Sequence, residues 1–354
     1  MLAGTFCYKR YVFISISPKY TVKHNGEKMN KTIFTWITIT IIAVTTSIAG
    51  TTYYFTITMQ GRRRLVVSTT TSLYDTGLLD AVEEKFEEKN PIDLYFISVG
   101  TGLAIKHAKR GDADVVLVHA PSTEYTFLKE GYGVCRKIIA YNFFLIAGPE
   151  EDPAKIRNLN VKQALTRIIE AGRNGSIVWV SRGDDSGTHV KEKTLWASIG
   201  FNWTVLREEG WFIESGSGMG KTLLMANERN AYTLADVGTY LKYRNEGHIT
   251  LEALVSEGKE LINVYSVIAV NPEKVSTVNF QDAITFIQFL TSQECQTLIG
   301  EYMKDVYKQS LFNPAVEILK QENSPITTWI REYAFFNGTE CPSDYRNGHP
   351  ELYK

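Results

Sequence analysis

The chain is poor in cysteine and carries almost no net charge. Its four cysteines, Cys7, Cys135, Cys295 and Cys341, have no C-x-x-C spacing and no clustered histidine partners, which argues against a structural zinc site. The formal net charge of −1 gives no sign of nucleic-acid binding, which favours a strongly basic surface. In an extracytoplasmic protein Cys295 and Cys341 could form a disulfide, and free buried thiols are the alternative.

Familiar catalytic motifs are also missing. The chain has no G-x-S-x-G motif and no H-E-x-x-H motif, so neither serine hydrolysis nor metal-dependent hydrolysis has support. Residues 216–222 (Gly-Ser-Gly-Met-Gly-Lys-Thr) imitate a phosphate loop, but the nucleotide-binding pattern requires a glycine where this chain has Ser215. We interpret this segment as a glycine-rich connection from a strand to a helix, lining the cleft of a second lobe.

One long hydrophobic run lies near the N-terminus. Residues 32–55 contain no charge, and about 24 residues are enough to cross a hydrocarbon core of about 30 Å. Lys23, Lys28 and Lys31 precede the run and predict a cytoplasmic N-terminus, although the arginines at 62–64 follow it and weaken this orientation. We expect a signal or anchor segment. A buried helix of a soluble protein is the alternative, which the β-branched content disfavours.

The processing of this segment stays open at the level of the sequence. No cysteine lies at its end, so there is no lipoprotein signal. The segment is either cleaved, for example after Ala49, or kept as an anchor. Met29 opens a Lys-then-apolar run typical of a signal, so the chain starts either at Met1 or at Met29.

From Arg64 onward, short apolar runs alternate with amphipathic stretches, a pattern typical of βα units with parallel strands. The predicted strands are residues 65–67, 93–99, 115–118, 138–147, 177–180 and 265–270. The predicted helices are residues 76–89, 103–110, 124–130, 152–172, 188–199, 280–290 and 294–302. The runs near 140–148 and 264–271 end in Gly-Pro and Asn-Pro, and we expect them to cross between two lobes.

We therefore predict an α/β fold of two lobes with a central cleft, preceded by an N-terminal membrane helix. The predicted divisions are an N-terminal extension (1–61, with the span at about 32–55), lobe 1 (62–146), lobe 2 (147–263), the return to lobe 1 (264–303) and a C-terminal extension (304–354). Ligands of open α/β sheets bind beyond the carboxyl ends of the strands, which places the site in the cleft.

Three runs of small hydroxyl and glycine residues lie where a predicted strand ends and a helix begins. They are residues 68–72 (Ser-Thr-Thr-Thr-Ser), 100–102 (Gly-Thr-Gly) and 181–188 (Ser-Arg-Gly-Asp-Asp-Ser-Gly-Thr). The free backbone N–H groups of a helix start, with the positive end of the helix dipole behind them, attract an anion. Hydroxyls and one arginine add further donors. The three runs predict a site for a small tetrahedral oxyanion.

The predicted oxyanion ligands come from all three runs. They are Thr70, Thr71, Ser72, Gly100, Thr101, Arg182, Ser186, Gly187 and Thr188. We expect Asp184 to hold the Arg182 guanidinium and Gly187 to let the backbone approach the ligand, and we predict no catalytic residue and no metal ligand. The structural alternatives are a strand edge with an N-cap, a tight turn, and a capped helix with a surface salt bridge. We interpret His119 and His189 as structural.

Six segments carry a specific combination of motifs. They are Thr-Thr-Thr-Ser at 69–72, Val-Gly-Thr-Gly at 99–102, Gly-Asp-Ala-Asp-Val-Val-Leu-Val-His-Ala-Pro at 111–121, Ser-Arg-Gly-Asp-Asp-Ser-Gly-Thr-His at 181–189, Ala-Tyr-Thr-Leu-Ala-Asp at 231–236 and Tyr-Ser-Val-Ile-Ala-Val-Asn-Pro at 265–272. Together they resemble the tungstate-binding proteins of ABC importers, over roughly residues 64–300. Arg182, Thr188 and the hydroxyls of 69–72 match the anion-contacting motifs of that family.

The resemblance implies the periplasmic-binding-protein type II fold and capture of tungstate, with molybdate as a second candidate ligand and no cofactor. It also implies an ABC permease with its ATPase subunit as the partner. We expect an extracytoplasmic monomer, attached to the membrane through the N-terminal helix or secreted, with no nucleic-acid partner. The C-terminal extension, which begins after about residue 303, departs from the family pattern and has no role derived from it.

Three other hypotheses remain. The Arg-x-Asp-x-Ser-Gly-Thr spacing is similar to that of phosphate-binding proteins, and a carboxylate of Asp112 or Asp114 in the cleft would favour phosphate, which keeps a proton near neutral pH. A membrane-tethered oxyanion sensor is the second hypothesis. The third is a phosphoryl or sulfuryl transferase, for which Ser186 and His189 are the only nucleophile–base pair and are poorly spaced.

Overall fold

The computed structural model describes residues 31–59 and 62–353, which fall into two units, Met1–Gln60 and Gly61–Lys354. The described part of the first unit is one helix, α1 (Lys31–Met59). Its segment Thr35–Thr52 has a mean hydropathy of 1.3 and is long and apolar enough to cross a membrane. The predicted span of 32–55 lies within this helix. Lys23, Lys28 and the two candidate start residues, Met1 and Met29, lie outside the described residues.

Four threonines in the middle of α1 have paired hydroxyls. Those of Thr40, Thr45, Thr46 and Thr51 donate to backbone carbonyls three or four residues earlier, at 2.8–3.0 Å. This back-bonding satisfies the hydroxyl without water. The high threonine content is therefore compatible with an apolar surrounding.

The second unit is built on a mixed, eight-stranded sheet with a separate two-stranded sheet beside it. The strands are β1 (Arg63–Thr70), β2 (Ile92–Val99), β3 (Val115–Val118), β4 (Gly133–Gly148), β5 (Trp179–Ser181), β6 (Phe212–Glu214), β7 (Thr233–Asp236), β8 (Glu252–Val255), β9 (Ile262–Val270) and β10 (Asn313–Pro314). The order along the main sheet is β10-β4-β9-β3-β1-β2, with β7 and β8 pairing on β4. Strand β1 is parallel to β2 and β3, whereas β9 is antiparallel to β3 and β4.

Helices connect most consecutive strands, as the alternating pattern predicts. They are α2 (Thr71–Tyr74), α3 (Leu78–Glu87), α4 (Thr101–Arg110), α5 (Pro121–Lys129), α6 (Val161–Arg173), α7 (Gly187–Ser198), α8 (Trp203–Leu206), α9 (Met219–Glu228), α10 (Val237–Asn245), α11 (Phe280–Thr291), α12 (Gln293–Glu301), α13 (Lys304–Tyr307) and α14 (Pro325–Ala334). The predicted strands and most predicted helices are confirmed, with ends shifted by a few residues. The α/β class is confirmed with them.

Two predicted helices are wrong in extent. The helix predicted over 152–172 begins only with α6, because the preceding residues form turns in which Asp152 and Lys155 have positive φ values of 45° and 56°. The helix predicted over 76–89 begins with α3, because Gly77 stands before it in the left-handed conformation with φ of 81°.

Strand β4 takes part in two regions of the second unit. Its first part pairs with β9, and its last residues pair with β7 and β8. Ile139 of β4 belongs to a core around Leu65 and Phe86, and Phe144 of β4 belongs to a second core around Trp179. The strand that was expected to cross between lobes therefore does contribute to two cores. The numerical lobe limits of 62–146, 147–263 and 264–303 stay predictions.

The three arginines that follow the hydrophobic run are bound within the second unit. The contacts are Arg62 to Glu87, Arg63 to Asp282 at 2.9 Å, and the Arg64 guanidinium 4.1 Å above the ring of Tyr95. These charges therefore form part of the surface around β1 and β2, which accounts for their presence after the apolar helix.

The described cysteines form no disulfide. Cys135, Cys295 and Cys341 are free and buried, so the considered pairing of Cys295 with Cys341 is wrong and the free-thiol alternative is confirmed. Burial raises the pKa of Cys135 and of Cys295 to about 12, which keeps these thiols protonated and unreactive. Cys7 lies outside the described residues.

Candidate oxyanion site

The starts of four helices meet at one place in the second unit. Helices α2, α4, α7 and α9 begin there, preceded by Thr70, Gly100, Ser186 and Gly218 as capping residues. Arg182 Nη2 lies 3.4 Å from Thr71 Oγ1. A Cβ on Gly100 would lie 3.4 Å from the Asp184 carbonyl oxygen, and one on Gly218 would lie 3.5 Å from Thr71 Oγ1. The three predicted runs thus come together, and the glycine-rich segment 216–222 joins them.

The polar side chains at this place are almost completely buried. At most 1 % of the surface is exposed for Thr70, Ser72, Thr101, Arg182, Ser186 and Thr188, whereas Thr71, Gly100 and Asp184 are half-buried. Arginine and hydroxyl residues are mostly exposed in folded proteins unless they have a partner. Burial of so many donors at four helix starts therefore requires a compensating acceptor.

Three buried polar atoms at the site have no hydrogen-bond partner within the described part of the chain. They are Thr101 Oγ1, Thr188 Oγ1 and Arg182 Nε. An unpaired buried donor costs about 1–3 kcal/mol, and more when it is charged. Thr101 and Thr188 are the first or second residues of α4 and α7, where the free backbone N–H groups also point outward. These atoms fit an anion with several acceptor oxygens.

Asp184 organises the loop that carries Arg182. One carboxylate oxygen accepts from Arg182 Nη2, and the other accepts from the Ser186 backbone N–H at 3.2 Å. The carboxylate is thus engaged with the loop itself. Gly183, with φ of 63°, allows the tight bend between them, and a side chain there would meet Glu214 at 2.9 Å. Arg182 is held through Nη2, which leaves Nε for the ligand.

The first turn of α7 is capped from within. Ser186 Oγ accepts from the His189 backbone N–H at 3.2 Å, and His189 Nδ1 accepts from the Asp185 backbone N–H at 2.9 Å. The imidazole packs edge-on against Trp203, and burial lowers the pKa of His189 to about 4, so the ring is neutral near pH 7. His189 holds the turn, and its acceptor nitrogen is not available to Ser186 as a base.

A buried polar network contacts Ser72, the last residue of the first run. His119 Nδ1 lies 2.8 Å from Asn263 Oδ1, and His119 Nε2 lies 3.3 Å from Ser72 Oγ. Asn263 Nδ2 donates to Asn142 Oδ1 and to the Tyr265 hydroxyl, which leaves Asn263 Oδ1 as the acceptor. His119 therefore carries its proton on Nδ1, and Nε2 accepts from the Ser72 hydroxyl. Burial lowers the pKa of His119 to about 4, so it too is neutral.

This network was missed from the sequence, where only His119 was considered. The available signal was the presence of single asparagines, Asn142 and Asn263, inside the mainly apolar runs of β4 and β9. They lie opposite each other in the strand register and are fully buried or nearly so. A polar residue in an apolar strand run indicates a specific buried partner.

The two carboxylates that would favour phosphate are engaged elsewhere. Asp112 pairs with Arg110 at 3.0 Å on the surface, and Asp114 accepts from the backbone N–H groups of Val66 and Asn279 at 2.8 Å and 2.7 Å. Asp236, whose raised pKa results from burial, is held by Thr239 at the start of α10. Among the described residues, no group of three or more His, Cys, Asp or Glu side chains could hold a metal ion.

The comparison with family models decides the classification. Residues 45–294 match the model of a PBP superfamily domain. The chain belongs to the PBP superfamily. Two tungstate-binding proteins TupA are similar members: that of Peptoclostridium acidaminophilum is 39 % identical over 258 residues (72 % of this chain and 87 % of the relative), and that of Campylobacter jejuni is 38 % identical over 230 residues (64 % and 83 %).

Solved structures of PBP-type proteins agree. The tungstate-binding protein TupA of Desulfovibrio alaskensis is 38 % identical, with a TM-score of 0.61 over 72 % of this chain and 99 % of the other. The tungstate ABC transporter structure from Geobacter sulfurreducens is 41 % identical, with a TM-score of 0.60 over 68 % and 98 %. The relatives are substrate-binding transport proteins of this superfamily, and the expected resemblance is confirmed.

Proposed function

We propose that this chain is the substrate-binding protein of an ABC importer and that it captures tungstate, with molybdate as a second ligand. The observation that carries the proposal is the set of buried, unpartnered polar atoms Thr101 Oγ1, Thr188 Oγ1 and Arg182 Nε, gathered where four helices start. The tungstate-binding relatives support the same ligand. Binding needs no cofactor, and the working form is a monomer without nucleic-acid partners.

The chemistry of the dianion suits these donors. A fully ionised tetrahedral oxyanion offers only acceptor oxygens, so it gains from backbone N–H groups and hydroxyls and loses from a nearby carboxylate. Helix starts supply partial positive charge, and Arg182 balances part of the double negative charge. Phosphate with one proton would gain from a carboxylate acceptor, but Asp112 and Asp114 are both occupied away from the site.

The nucleophile–base pair considered from the sequence, Ser186 and His189, is not formed. His189 accepts from the Asp185 backbone through Nδ1, and Ser186 meets only its backbone N–H. A nucleophile needs a base within hydrogen-bond reach. This geometry supports binding of the oxyanion over its transfer by that pair.

We propose a location of the binding unit outside the cytoplasm, which the apolar helix α1 supports as a candidate anchor or signal segment. In this location the receptor delivers its ligand to a permease driven by an ATPase subunit. A membrane-tethered sensor would share the site and the helix. Genes for a permease and an ATPase next to that of this chain support import, whereas a neighbouring signalling gene without them supports the sensor.

Calorimetric titration of the purified protein with tungstate, molybdate, sulfate and phosphate tests the ligand. We expect tight binding of tungstate and no response to phosphate; binding of phosphate alone would overturn the assignment.

Arg182→Ala should weaken tungstate binding at least tenfold, because the charge of the dianion is then less balanced. Arg173→Ala is the matched control, since Arg173 is an exposed residue paired with Glu209.

A further inference from the structure

The C-terminal extension packs the helix α14 against the neighbouring strands β4 and β9. Ile330 and Ala334 of α14 are fully buried against Ile138 of β4 and against Ile262 and Val264 of β9. Trp329 adds an edge-on contact with Phe143, at 6.5 Å between ring centroids. The extension lies beyond residues 45–294, which match the superfamily, so the family gives it no role.

One side chain of the oxyanion-binding helix reaches this extension. Lys191 lies one turn after Gly187 on α7 and is only 3 % exposed. Its ammonium donates to the Ile262 carbonyl at 2.8 Å and lies 3.8 Å from the ring centroid of Tyr333 on α14. Lys191 therefore joins α7, β9 and α14 at a single point.

The ammonium of Lys191 depends on these two contacts and on the more distant ring of Phe144, whose centroid is 5.8 Å away. Among the described residues, no carboxylate lies within ion-pair distance of the Lys191 ammonium. Burial lowers the pKa of Lys191 to about 7, against a smaller opposing effect of Glu260. A buried cation is costly unless it is compensated, and the face of a tyrosine ring compensates a desolvated ammonium strongly.

We propose that Tyr333 and Lys191 are positioning residues that hold the first turn of α7, with the donors of Ser186, Gly187 and Thr188, in the geometry that binds the oxyanion. The inference rests on the proposed function. The C-terminal extension then has a purpose: it fixes the binding helix one turn beyond the residues that donate to the ligand. Loss of the Tyr333 ring removes the nearer of the two rings over the ammonium and leaves it only the Ile262 carbonyl and the more distant Phe144 ring, and α7 shifts to expose it.

Titration of the full chain with sodium tungstate tests the proposal. Tyr333→Leu removes the ring and should weaken affinity about tenfold, whereas Tyr333→Phe keeps the ring face and should stay within about twofold. Lys191→Met should weaken affinity as well, and the double variant should lose no more than the worse single variant, because both changes break one contact. Affinity of Tyr333→Leu within twofold of wild type, or additive losses, would overturn the proposal.

The matched control breaks the ion pair of the neighbouring residue on the same helix. Glu332 of α14 pairs with Lys259 at 3.2 Å, and both side chains are more than half exposed. Lys259→Met should leave tungstate affinity unchanged, since an exposed ion pair contributes little. An equal loss in Lys259→Met would show a general effect of disturbing α14, and the specific role of Tyr333 would fail.

Hydrogen exchange of the ligand-free protein separates this proposal from the proposed function. Tyr333→Leu should speed exchange in α7 and leave α6 unchanged, whichever anion the protein binds. Unchanged exchange in α7 would overturn the positioning role. If wild type takes up phosphate and not tungstate, the ligand assignment fails, and the same variants titrated with phosphate still decide the role of Tyr333.

Discussion

A single methyl group at Gly187 should disturb the start of α7. A Cβ there would lie 2.6–2.8 Å from three atoms of the His119 ring. That ring cannot retreat, because it is stacked on Tyr265 at 4.8 Å and is hydrogen-bonded to Asn263. Overpacking of this kind costs about 1–3 kcal/mol. The cost falls on the arrangement in which α7 lies against His119.

Gly187→Ala should therefore lower the free energy of unfolding by about 1–3 kcal/mol and also weaken tungstate binding, because the first turn of α7 must move away from His119. Calorimetry and urea denaturation of the same preparation measure the two quantities. Gly210→Ala is the control, because a Cβ at Gly210 has no atom within 4 Å. A variant with normal affinity would mean that His119 and Gly187 move apart when the ligand binds.

Glu192 gives a prediction about pH. Its buried carboxylate accepts from Trp179, Ser181 and Trp196 at 2.8–3.2 Å, and burial raises the pKa of Glu192 from 4.5 to about 7. The folded protein therefore holds a proton that the unfolded chain has lost. Its contribution to stability is fully present below pH 4.5 and is lost as the pH rises through about 7.

Glu192→Gln should remove this dependence. Relative to the variant, the wild-type protein should lose about 3 kcal/mol of unfolding free energy between pH 4.5 and pH 8. Urea denaturation at several pH values measures the difference, and the buried histidines titrate alike in both proteins and cancel. Glu208→Gln, at an exposed residue, should follow the wild type. Parallel curves for wild type and Glu192→Gln would contradict the prediction.

At the level of the residue, the sequence predicts the hydrogen-bond donors of the site better than the residues that hold them in place. Hydroxyls and glycines next to Thr71 and Thr188 follow from a local pattern, since strand ends and helix starts are read from neighbouring residues. The partner of His119 is Asn263, 144 residues later, and that of Lys191 is Tyr333. Only tertiary packing brings such pairs together, and no local pattern contains them.

At the level of the element, the helix starts of α4 and α7 make a second test of the site. Thr101→Val and Thr188→Val replace unpartnered buried hydroxyls by methyl groups of the same shape. Because a hydrogen bond to a charged group contributes about 1.5–3 kcal/mol, each change should weaken tungstate binding roughly tenfold or more. The unliganded protein should be as stable as wild type or more so, since a buried polar atom without partner is removed.

Thr233→Val is the opposite case and serves as the comparison. The Thr233 hydroxyl donates to the Val180 carbonyl at 2.7 Å, so its removal should lower stability. Calorimetry and thermal unfolding distinguish the two outcomes. A stability loss in Thr101→Val or Thr188→Val with unchanged affinity would mean that those hydroxyls support the fold and do not contact the ligand.

Strand β4 shows why element limits could be predicted only in part. The sequence predicts a strand over 138–147, whereas the observed strand begins at Gly133. The prediction starts too late because Arg136 and Lys137 interrupt the apolar run. Both charges are buried against the C-terminal extension: Arg136 donates to the Glu340 carbonyl and Lys137 pairs with the Glu340 carboxylate, each at 2.7 Å. A charged residue reads as surface until its distant partner is known.

At the level of the whole molecule, ligand binding should appear as added stability. A ligand that binds only the folded state at 100 times its Kd contributes about 2.7 kcal/mol, which corresponds to a rise in Tm of about 5 °C for a protein of this size. Differential scanning fluorimetry with tungstate should show this rise in the wild type and a much smaller one in Arg182→Ala. An equal shift in both proteins would mean that Arg182 does not contact the ligand.

The sheet order has a consequence for folding during synthesis. Strand β9 lies between β3 and β4, although about 140 residues of chain separate it from β3 and about 110 from β4. The central sheet therefore lacks one of its interior strands until residue 270 has been synthesised. A growing chain cannot complete this sheet before then, so its central strands become locked together only late.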